Sequence, residues 1–230
     1  MGKEVEKACL KRGHKIIAVI DNESDWQKLS NIDYSGAAVI DFSMPNEAKN
    51  NYLKCFKLGV PIVTGTTGWY DELEYISEQC KNYNGSLFYA PNFSIGVNIF
   101  FKVNSYLAQL MSGFNNYEIH VNETHHIHKL DAPSGTAIAV ANGIIEKHKE
   151  LNNWTLNSKG STNSLPIYST RKGEITGTHK VIYESGEDKL TLVHEAKNRE
   201  GFALGAVLAV EFIVGKHGIF NMEDLLKQML

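Results

Sequence analysis

The chain has 230 residues, which is long enough for one large domain and a smaller second one but short for two large domains. Its 43% hydrophobic residues contain no run near the roughly 20 that a membrane-spanning helix needs, and its net charge of −3, with scattered Lys and Arg, argues against a nucleic-acid surface. The start of the chain lacks the apolar core of a signal peptide, and three cysteines without paired spacing predict a reducing, cytoplasmic setting.

Helices and buried strands alternate through the first ninety residues. Val5, Ala8 and Cys9 share one face of a predicted helix, and Pro45 and Gly59 mark the start and end of another. The predicted helices are 3–12, 45–59 and a segment around Leu73 and Ile76. The predicted strands are 16–20, 37–42, 60–64 and 87–90. This alternation predicts an α/β fold with a doubly wound, Rossmann-type parallel sheet.

The pattern changes after Asn92 and predicts a second, α+β domain with a mostly antiparallel sheet. A helix is expected to bury one apolar face, made of Val97, Phe100, Val103, Leu107 and Leu110. The Asn, Ser and Thr content of 151–170 predicts a loop. The other predicted elements are a strand at 117–123, a helix from Ser134 to about Lys147, an antiparallel pair at 174–184 and 189–196, and a buried helix at 202–214 that could return to the first domain.

Asp21 and Gly2 carry a weak nucleotide-binding signal. In dinucleotide-binding folds an acidic residue closes the second strand about 20 residues after the glycine loop and accepts hydrogen bonds from the ribose. Asp21 fits that place if Gly2 is the last glycine of the loop, and the helix after Gly2 would then face the pyrophosphate. The alternative is that Asp21 simply ends a surface strand.

Two further segments follow predicted strands at the edge where open α/β sheets bind ligands. The first holds Gly65, Thr66 and Thr67, which offer backbone N–H groups and hydroxyls; a plain loop explains it equally well. The second segment consists of Ala90, Pro91, Asn92 and Phe93. It brings an amide and an aromatic ring to the same edge, or else serves only as a hinge between domains.

Residues 123–136 form the most informative segment, because three histidines and a lysine stand directly before a helix start. Ser134 suits the N-cap position, so the N–H groups of Gly135 and Thr136 would offer a seat for a carboxylate. Imidazoles and an ammonium group can exchange protons with a small acid. Two alternatives are solvated surface histidines and a zinc site, although the adjacent His125 and His126 cannot easily aim at one ion and no cysteine cluster completes a ligand set, so no metal is expected.

The sequence Glu-Thr-His-His-Ile-His-Lys-Leu-Asp-Ala-Pro-Ser-Gly-Thr at 123–136 closely resembles the signature of the dihydrodipicolinate reductase family. The resemblance continues at 65–68, 92–98, 171–174 and 218–224 and so covers essentially the whole chain. It implies that His125 is the catalytic acid/base and Lys129 the proton donor. It also implies that the substrate carboxylates are held by His126, Gly135 and Thr136.

The same resemblance implies a cofactor, a substrate and an assembly. Family members reduce 4-hydroxy-tetrahydrodipicolinate, a small dicarboxylate of lysine and diaminopimelate synthesis, with NADH or NADPH, usually as homotetramers joined through the second domain. Asp21 would bind the ribose, and 65–67 and 90–93 would surround the nicotinamide half. Many members that accept NADPH have Arg after the acidic residue, whereas Asn22 follows Asp21 here, so we expect NADH to be favoured.

The implied domains are 1–96 with 202–230 for dinucleotide binding, and 97–201 for substrate binding and tetramerisation. The family begins with a strand and a glycine turn that would end at Gly2, so we expect roughly 10–15 further residues upstream, most simply through a misassigned start codon. The alternatives to an active reductase are a truncated inactive paralogue and a small dicarboxylate-binding oligomer.

Overall fold

The computed structural model describes residues 1–27 and 33–229. Their contacts divide the chain into two compact units, Met1–Ser94 with Glu200–Leu230 and Ile95–Arg199. We refer to these as unit 1 and unit 2. None of the described helices is long and apolar enough to cross a membrane.

Unit 1 contains a four-stranded sheet in which every pairing is parallel. Its strands, in spatial order, are β1 (Val39–Asp41), β2 (Ile62–Thr64), β3 (Ser86–Tyr89) and β9 (Gly218–Phe220). Its helices are α1 (Gly2–Lys11), α2 (Glu23–Gln27), α3 (Pro45–Leu58), α4 (Leu73–Asn82), α7 (Glu200–Ile213) and α8 (Met222–Met229), with a 3-10 turn at Tyr70–Glu72. Strands alternate with helices, as the sequence predicts.

Helices cover both faces of this sheet. Helices α3 and α4 bury Tyr52, Phe56 and Ile76 against one face, where Leu87 of β3 is also buried. Helices α1 and α7 pack together at the other face. Helix α3 ends at Gly59, whose φ of 67° is a left-handed conformation that glycine adopts at little cost. The Rossmann-type fold predicted for this unit is confirmed.

The strand predicted at 16–20 is wrong. This segment is not part of any described strand, and Ile17 and Val19 are 51% and 65% exposed. An apolar segment becomes a strand only through backbone hydrogen bonds to a neighbour, and the sheet of the described residues contains β1, β2, β3 and β9 alone. The apolar residues at 16–20 therefore favour a β conformation, but the described residues provide no neighbouring strand to pair with them. Ile16 instead packs partly against the cluster around α1 and α7.

Unit 2 is a five-stranded mixed sheet with two helices, α5 (Ile95–Met111) and α6 (Gly135–Ile145). Its strands, in chain order, are β4 (Glu118–His125), β5 (Asn153–Leu156), β6 (Ser164–Arg171), β7 (Gly177–Glu184) and β8 (Lys189–Ala196). Their spatial order is β5-β6-β4-β7-β8. Strands β4, β7 and β8 pair antiparallel, as expected, but β5, β6 and β4 pair parallel, so the sheet is more evenly mixed than the sequence suggests.

The loop predicted at 151–170 is wrong, because it contains β5 and most of β6. Most residues of this stretch are polar, but Leu165 and Ile167 are fully buried beside Val121. Strand β6 is bonded on both sides, to β4 and to β5, so tertiary pairing overrides the weak local signal.

The apolar face predicted for α5 is only partly correct. Val97 and Phe100 are buried as predicted, but Val103 and Leu110 are exposed. The buried face continues instead through Asn104, Ala108 and Met111. These positions keep the helical repeat of 3.6 residues more closely, and Asn104 satisfies its amide by donating to the backbone carbonyl of Val140 at 3.0 Å.

Candidate active site

Strand β4 and helix α6 position the histidine-rich segment of unit 2. Side chains alternate along β4, so Glu123 and His125 both lie on its buried face. Helix α6 begins after Ser134, whose hydroxyl accepts a hydrogen bond from the backbone N–H of Ala137 at 3.2 Å. The predicted N-cap at Ser134 is therefore confirmed.

Glu123 is a buried carboxylate surrounded by donors, with 1% of the residue exposed. Its Oε1 accepts hydrogen bonds from the Ser134 backbone N–H at 3.1 Å, the Ser169 hydroxyl at 2.7 Å and the Arg171 guanidinium at 3.2 Å. Burial by itself raises the pKa of Glu123, but the surrounding donors outweigh it and hold that pKa below the usual range of a glutamate. Glu123 is therefore negatively charged at neutral pH.

His125 faces this carboxylate through one ring nitrogen. Its Nδ1 is buried and lies 2.8 Å from Oε2 of Glu123, although the contact departs from the line of a well-aligned hydrogen bond. The contact becomes an ion pair when the imidazole is protonated. A Cβ atom at Gly177 would lie 3.0 Å from Nε2, so the absence of a side chain at Gly177 leaves room beside the second ring nitrogen.

His179, on β7, is the third buried titratable group of the cluster. Its ring centroid lies 5.1 Å from that of His125, and its Nε2 lies 3.2 Å from the Ser134 hydroxyl. Burial, reinforced by the neighbouring His125, lowers the pKa of His179 to about 4. His179 is therefore neutral at pH 7 and adds no positive charge beside His125.

Lys129 lies in the connection between β4 and α6, with its side chain largely covered. Its Nζ donates to Oδ1 of Asp131 at 2.7 Å. The backbone of the same connection is bound by Arg171, which donates through Nε to the Lys129 carbonyl at 3.2 Å and through Nη2 to the Asp131 carbonyl at 2.5 Å. Arg171 thus contacts both Glu123 and the backbone that carries Lys129.

The three residues expected to hold carboxylates lie on either side of this connection. His126 is partly buried, with its ring centroid 5.9 Å from that of His128. Gly135 is exposed and Thr136 partly buried in the first turn of α6. His128 stands apart from the buried cluster, because it is largely exposed and contacts Glu174 at 3.2 Å.

A metal ligand set can be assembled in unit 2, but it shares only His125 with the three histidines of the zinc alternative drawn from the sequence. Glu123, His125 and His179 offer ligand atoms within 4.8 Å of one another. His126 and His128 do not belong to this set. Both carboxylate oxygens of Glu123 already have neighbours within the protein. Oε1 accepts three hydrogen bonds, and Oε2 lies 2.8 Å from His125, which is the length of a charge-assisted pair.

In unit 1, a pocket of about 300 Å³ lies at the carboxyl ends of β1 and β2. Its lining residues are Met1, Phe42, Ser43, Pro45, Gly65, Thr66 and Thr67. Gly65 packs directly on Phe42, since a Cβ at this position would lie 2.1 Å from Cε1 of the ring. Only glycine allows the backbone to run this close to the ring.

A buried carboxylate also supports this loop. Asp41 ends β1, and its Oδ2 accepts hydrogen bonds from the hydroxyls of Thr64 and Thr66, both at 2.8 Å. The hydroxyl of Thr66 in turn accepts a hydrogen bond from the backbone N–H of Ser43 at 2.9 Å. Asp41 therefore fixes the loop that contains Gly65.

The remaining candidate nucleotide residues lie directly after β3 or just before α2. Ala90, Pro91, Asn92 and Phe93 follow β3, and the Ala90 N–H donates to the Thr64 carbonyl at 3.2 Å. The Phe93 ring lies 5.9 Å from that of Phe42. Asp21 is exposed just before α2, with its backbone N–H donating to Asp25 at 3.1 Å, and it is not among the residues that line the described pocket.

Comparison with known families assigns the whole chain. Residues 1–93 match the family model described as dihydrodipicolinate reductase, N-terminus, and residues 96–226 match the one described as dihydrodipicolinate reductase, C-terminus. This chain belongs to the dihydrodipicolinate reductase family. It is therefore an oxidoreductase with a Rossmann-type unit, of a family that uses a nicotinamide cofactor. The alternatives of an inactive paralogue or a binding protein are not favoured.

Relatives of this chain support the family assignment over its full length. A protein of Christiangramia forsetii named 4-hydroxy-tetrahydrodipicolinate reductase is 42% identical over 229 residues, which cover 100% of this chain and 95% of the relative. One of the same name from Clostridium novyi is 33% identical and covers 99% and 94%. The structure titled dipicolinate-bound dihydrodipicolinate reductase, from a Paenisporosarcina species, has a TM-score of 0.74 at 23% identity over 96% of this chain and 92% of its own.

The sequence patterns did not single out several residues that shape the two sites. Arg171 and His179 reach the cluster from β6 and β7, far along the chain, so local spacing could not reveal them. Asp41 and Phe42 end a predicted strand at the ligand edge of the sheet, and that position was the available signal. Glu123 stands within the signature, where its alternation with His125 along a strand was the clue.

Proposed function

We propose that this chain reduces 4-hydroxy-tetrahydrodipicolinate, with loss of water, to tetrahydrodipicolinate at the expense of NADH or NADPH. The observation that carries the proposal is the buried Glu123–His125 pair beside Lys129 and the start of α6. This arrangement combines proton-exchanging groups with a helix N-terminus suited to an anion. The names of the 42% and 33% identical relatives support the substrate and its place in lysine and diaminopimelate synthesis.

His125 and Lys129 are the proposed proton-transfer residues. Nδ1 of His125 is buried against Glu123, so a proton exchanged with the substrate would pass through Nε2. Lys129 would donate a proton to the reduced ring from the connection between β4 and α6. We assign the two substrate carboxylates to His126 and to the backbone N–H groups of Gly135 and Thr136 at the start of α6.

The pocket of unit 1 fits the nicotinamide cofactor that the family uses. Gly65, Thr66 and Thr67 would contact the cofactor through backbone N–H groups and hydroxyls, and Ala90, Pro91, Asn92 and Phe93 would border its nicotinamide half. Gly65 packs directly on the Phe42 ring, and both residues line this pocket. When bound, the cofactor supplies the hydride; the protein binds, orients and protonates the substrate.

NADH is the proposed preferred cofactor. Asp21 would accept hydrogen bonds from the ribose hydroxyls and repel a 2′-phosphate, and Asn22 offers no cation to offset that repulsion. We expect kcat/KM to be higher for NADH than for NADPH, and the variant Asn22→Arg to raise kcat/KM for NADPH. Equal or better turnover of the wild type with NADPH would contradict this preference.

A homotetramer is the proposed assembly, formed through unit 2. One face of its sheet packs on the helices, while the opposite face is not covered by described elements of this unit. The uncovered face presents His120, Asn122, Tyr168, Lys180, Ile182 and Val193. A sheet with one face open is a natural place for a second copy to pack.

The proposal is tested by following NADH oxidation with substrate generated in place from pyruvate and aspartate semialdehyde. We expect substrate-dependent oxidation by the wild-type chain, and a loss on the order of 10²-fold or more in kcat for His125→Gln and Lys129→Met. His128→Gln, which changes an exposed histidine of the same segment, should retain wild-type kinetics. Full activity of His125→Gln would contradict the proposed role of His125.

A further inference from the structure

We infer that Glu123 and Arg171 are positioning residues, which hold His125 and Lys129 in one arrangement through a shared carboxylate. Neither residue needs to touch the substrate. Glu123 fixes the ring of His125 through Nδ1, and Arg171 connects that carboxylate to the backbone of Lys129 and Asp131. This inference rests on the proposed roles of His125 and Lys129.

The two oxygens of Glu123 have different partners. Oε1 accepts hydrogen bonds from a backbone N–H, a hydroxyl and a guanidinium, provided by Ser134, Ser169 and Arg171. Oε2 is buried and faces Nδ1 of His125 at 2.8 Å. Burying a carboxylate is costly unless donors surround it, and here the donors converge on one oxygen and leave the other for the imidazole.

Arg171 donates to four acceptors through its planar guanidinium, one of which is the carbonyl of the adjacent Thr170 at 3.0 Å. It donates to the Glu123 carboxylate at 3.2 Å, to the Lys129 carbonyl at 3.2 Å and to the Asp131 carbonyl at 2.5 Å. The guanidinium can reach these acceptors together because its N–H donors lie on three nitrogens in one rigid plane, whereas a lysine ammonium carries its donors on a single atom. The guanidinium therefore couples the end of β4 to the connection that carries Lys129.

Two contacts fix the orientation of the His125 ring. Nδ1 faces Glu123 at 2.8 Å, and the ring of His179 packs edge-on against that of His125 with the centroids 5.1 Å apart. The carboxylate of Glu123 on β4 and the imidazole of His179 on β7 face the ring, and the guanidinium of Arg171 on β6 binds the other oxygen of that carboxylate.

The test uses the full chain and the variants Glu123→Gln and Arg171→Lys. Glu123→Gln keeps the side-chain shape but removes the negative charge. Arg171→Lys keeps the positive charge but removes the planar set of N–H donors. We expect kcat to fall on the order of 10²-fold for Glu123→Gln and by a smaller factor for Arg171→Lys, with KM for the substrate and for NADH within about threefold of wild type. Glu118→Gln is the matched control, because Glu118 is an exposed residue of the same strand, paired with Lys159.

A second readout does not depend on turnover. The ¹⁵N chemical shifts of the His125 ring nitrogens report which nitrogen carries the proton. We expect the wild type to hold the proton on Nδ1 when the ring is neutral, and Glu123→Gln to shift the ring toward the other tautomer. Glu118→Gln should leave these signals unchanged. If Glu123→Gln does not fold, Arg171→Lys is expected to give a smaller change in the same direction.

The possible outcomes separate this inference from the proposed function. Unchanged kcat and unchanged His125 ring signals in both variants would overturn the inference, while an inactive His125→Gln would leave the proposed function standing. A fully active His125→Gln would overturn the proposed role of His125, whereas a wild-type chain without substrate-dependent NADH oxidation would overturn the proposed function itself. A rise in substrate KM with unchanged kcat in Glu123→Gln would also overturn the inference, because it would mean that Glu123 binds the substrate.

Discussion

At the residue scale, buried polar groups determine the chemistry available to each unit. In unit 2 the carboxylate of Glu123 stays charged because donors surround it, and His179 stays neutral because burial disfavours its charged form. In unit 1 Asp41 holds the hydroxyls of Thr64 and Thr66. In both units a buried carboxylate fixes the residues beside it.

The low pKa of His179 makes stability depend on pH. In the unfolded chain a histidine takes up a proton near pH 6.5, but folded His179 does so only near pH 4, so acidification favours unfolding. Between pH 6.5 and 5, before the carboxylates titrate, the free energy of unfolding should fall by about 2 kcal/mol through His179. His194, whose pKa burial also lowers, acts in the same direction. Urea unfolding at several pH values measures the slope.

The variant His179→Gln should lose most of this pH dependence. His128→Gln removes an exposed histidine instead and should retain the wild-type slope. Equal slopes for the wild type and His179→Gln would show that His179 is not the buried neutral group described here.

Gly65 allows a direct test of the nucleotide pocket. Because a Cβ at this position would lie 2.1 Å from the Phe42 ring, Gly65→Ala must displace either the ring or the loop. We expect KM for NADH to rise about tenfold or more, with KM for the substrate little changed. The double variant Gly65→Ala with Phe42→Ala makes room for the methyl group and should recover part of the affinity. An unchanged KM for NADH in the single variant would separate this loop from cofactor binding.

At the element scale, the packing of α7 depends on a glycine at a point of close contact. Gly205 in α7 lies against the Phe93 carbonyl, and a Cβ at Gly205 would be 1.7 Å from that oxygen. A Cβ at Gly201, four positions earlier in the same helix, would lie 4.0 Å from the Ser94 hydroxyl. The two glycines therefore differ in packing while sharing a helix.

These glycines give a matched pair of variants. Gly205→Ala should lower the free energy of unfolding by about 2 kcal/mol or more, because the clash is with backbone that cannot move aside cheaply. Gly201→Ala should stay within about 1 kcal/mol of the wild type, since alanine favours a helix and meets nothing closer. Thermal and urea unfolding measure both. A larger loss for Gly201→Ala than for Gly205→Ala would contradict the packing of α7.

Sequence patterns predicted elements that carry their own signal. The buried strands at 39–41, 62–64 and 86–89 stand out as apolar runs, and Pro45 and Gly59 mark both ends of α3. The failures have a common cause, because strand pairing is not local. The segment 16–20 has apolar residues but no described partner, whereas β6 has few apolar residues but two partners.

The candidate site was likewise predicted only where its residues lie close together in the sequence. The signature at 123–136 predicted the N-cap at Ser134 and singled out the segment that contains Glu123 and His125. The residues that complete the cluster, Arg171 and His179, come from other strands, and only the strand order brings them together. Spacing along one segment cannot report such contacts.

At the scale of the whole molecule, the uncovered face of the unit 2 sheet bears on assembly. Val193 lies opposite Lys180 on this face and is 48% exposed in the single chain. If the proposed tetramer forms through this face, Val193→Lys should shift the protein to smaller species, because a buried lysine at an interface lacks a partner. Val214→Lys changes an apolar residue of unit 1 with 43% exposure and serves as the control. Light scattering after size-exclusion chromatography measures the mass, and an unchanged tetramer for Val193→Lys would place the interface elsewhere.

The central claim is that this chain transfers hydride from a nicotinamide cofactor to 4-hydroxy-tetrahydrodipicolinate. The most direct measurement uses NADH deuterated at the nicotinamide C4 position and analyses the tetrahydrodipicolinate product by mass spectrometry. The account predicts that one carbon-bound deuterium enters the product with the wild-type chain and that His125→Gln forms little product. Oxidation of deuterated NADH without deuterium in the product, or no oxidation by a folded chain that binds NADH and substrate, would contradict it.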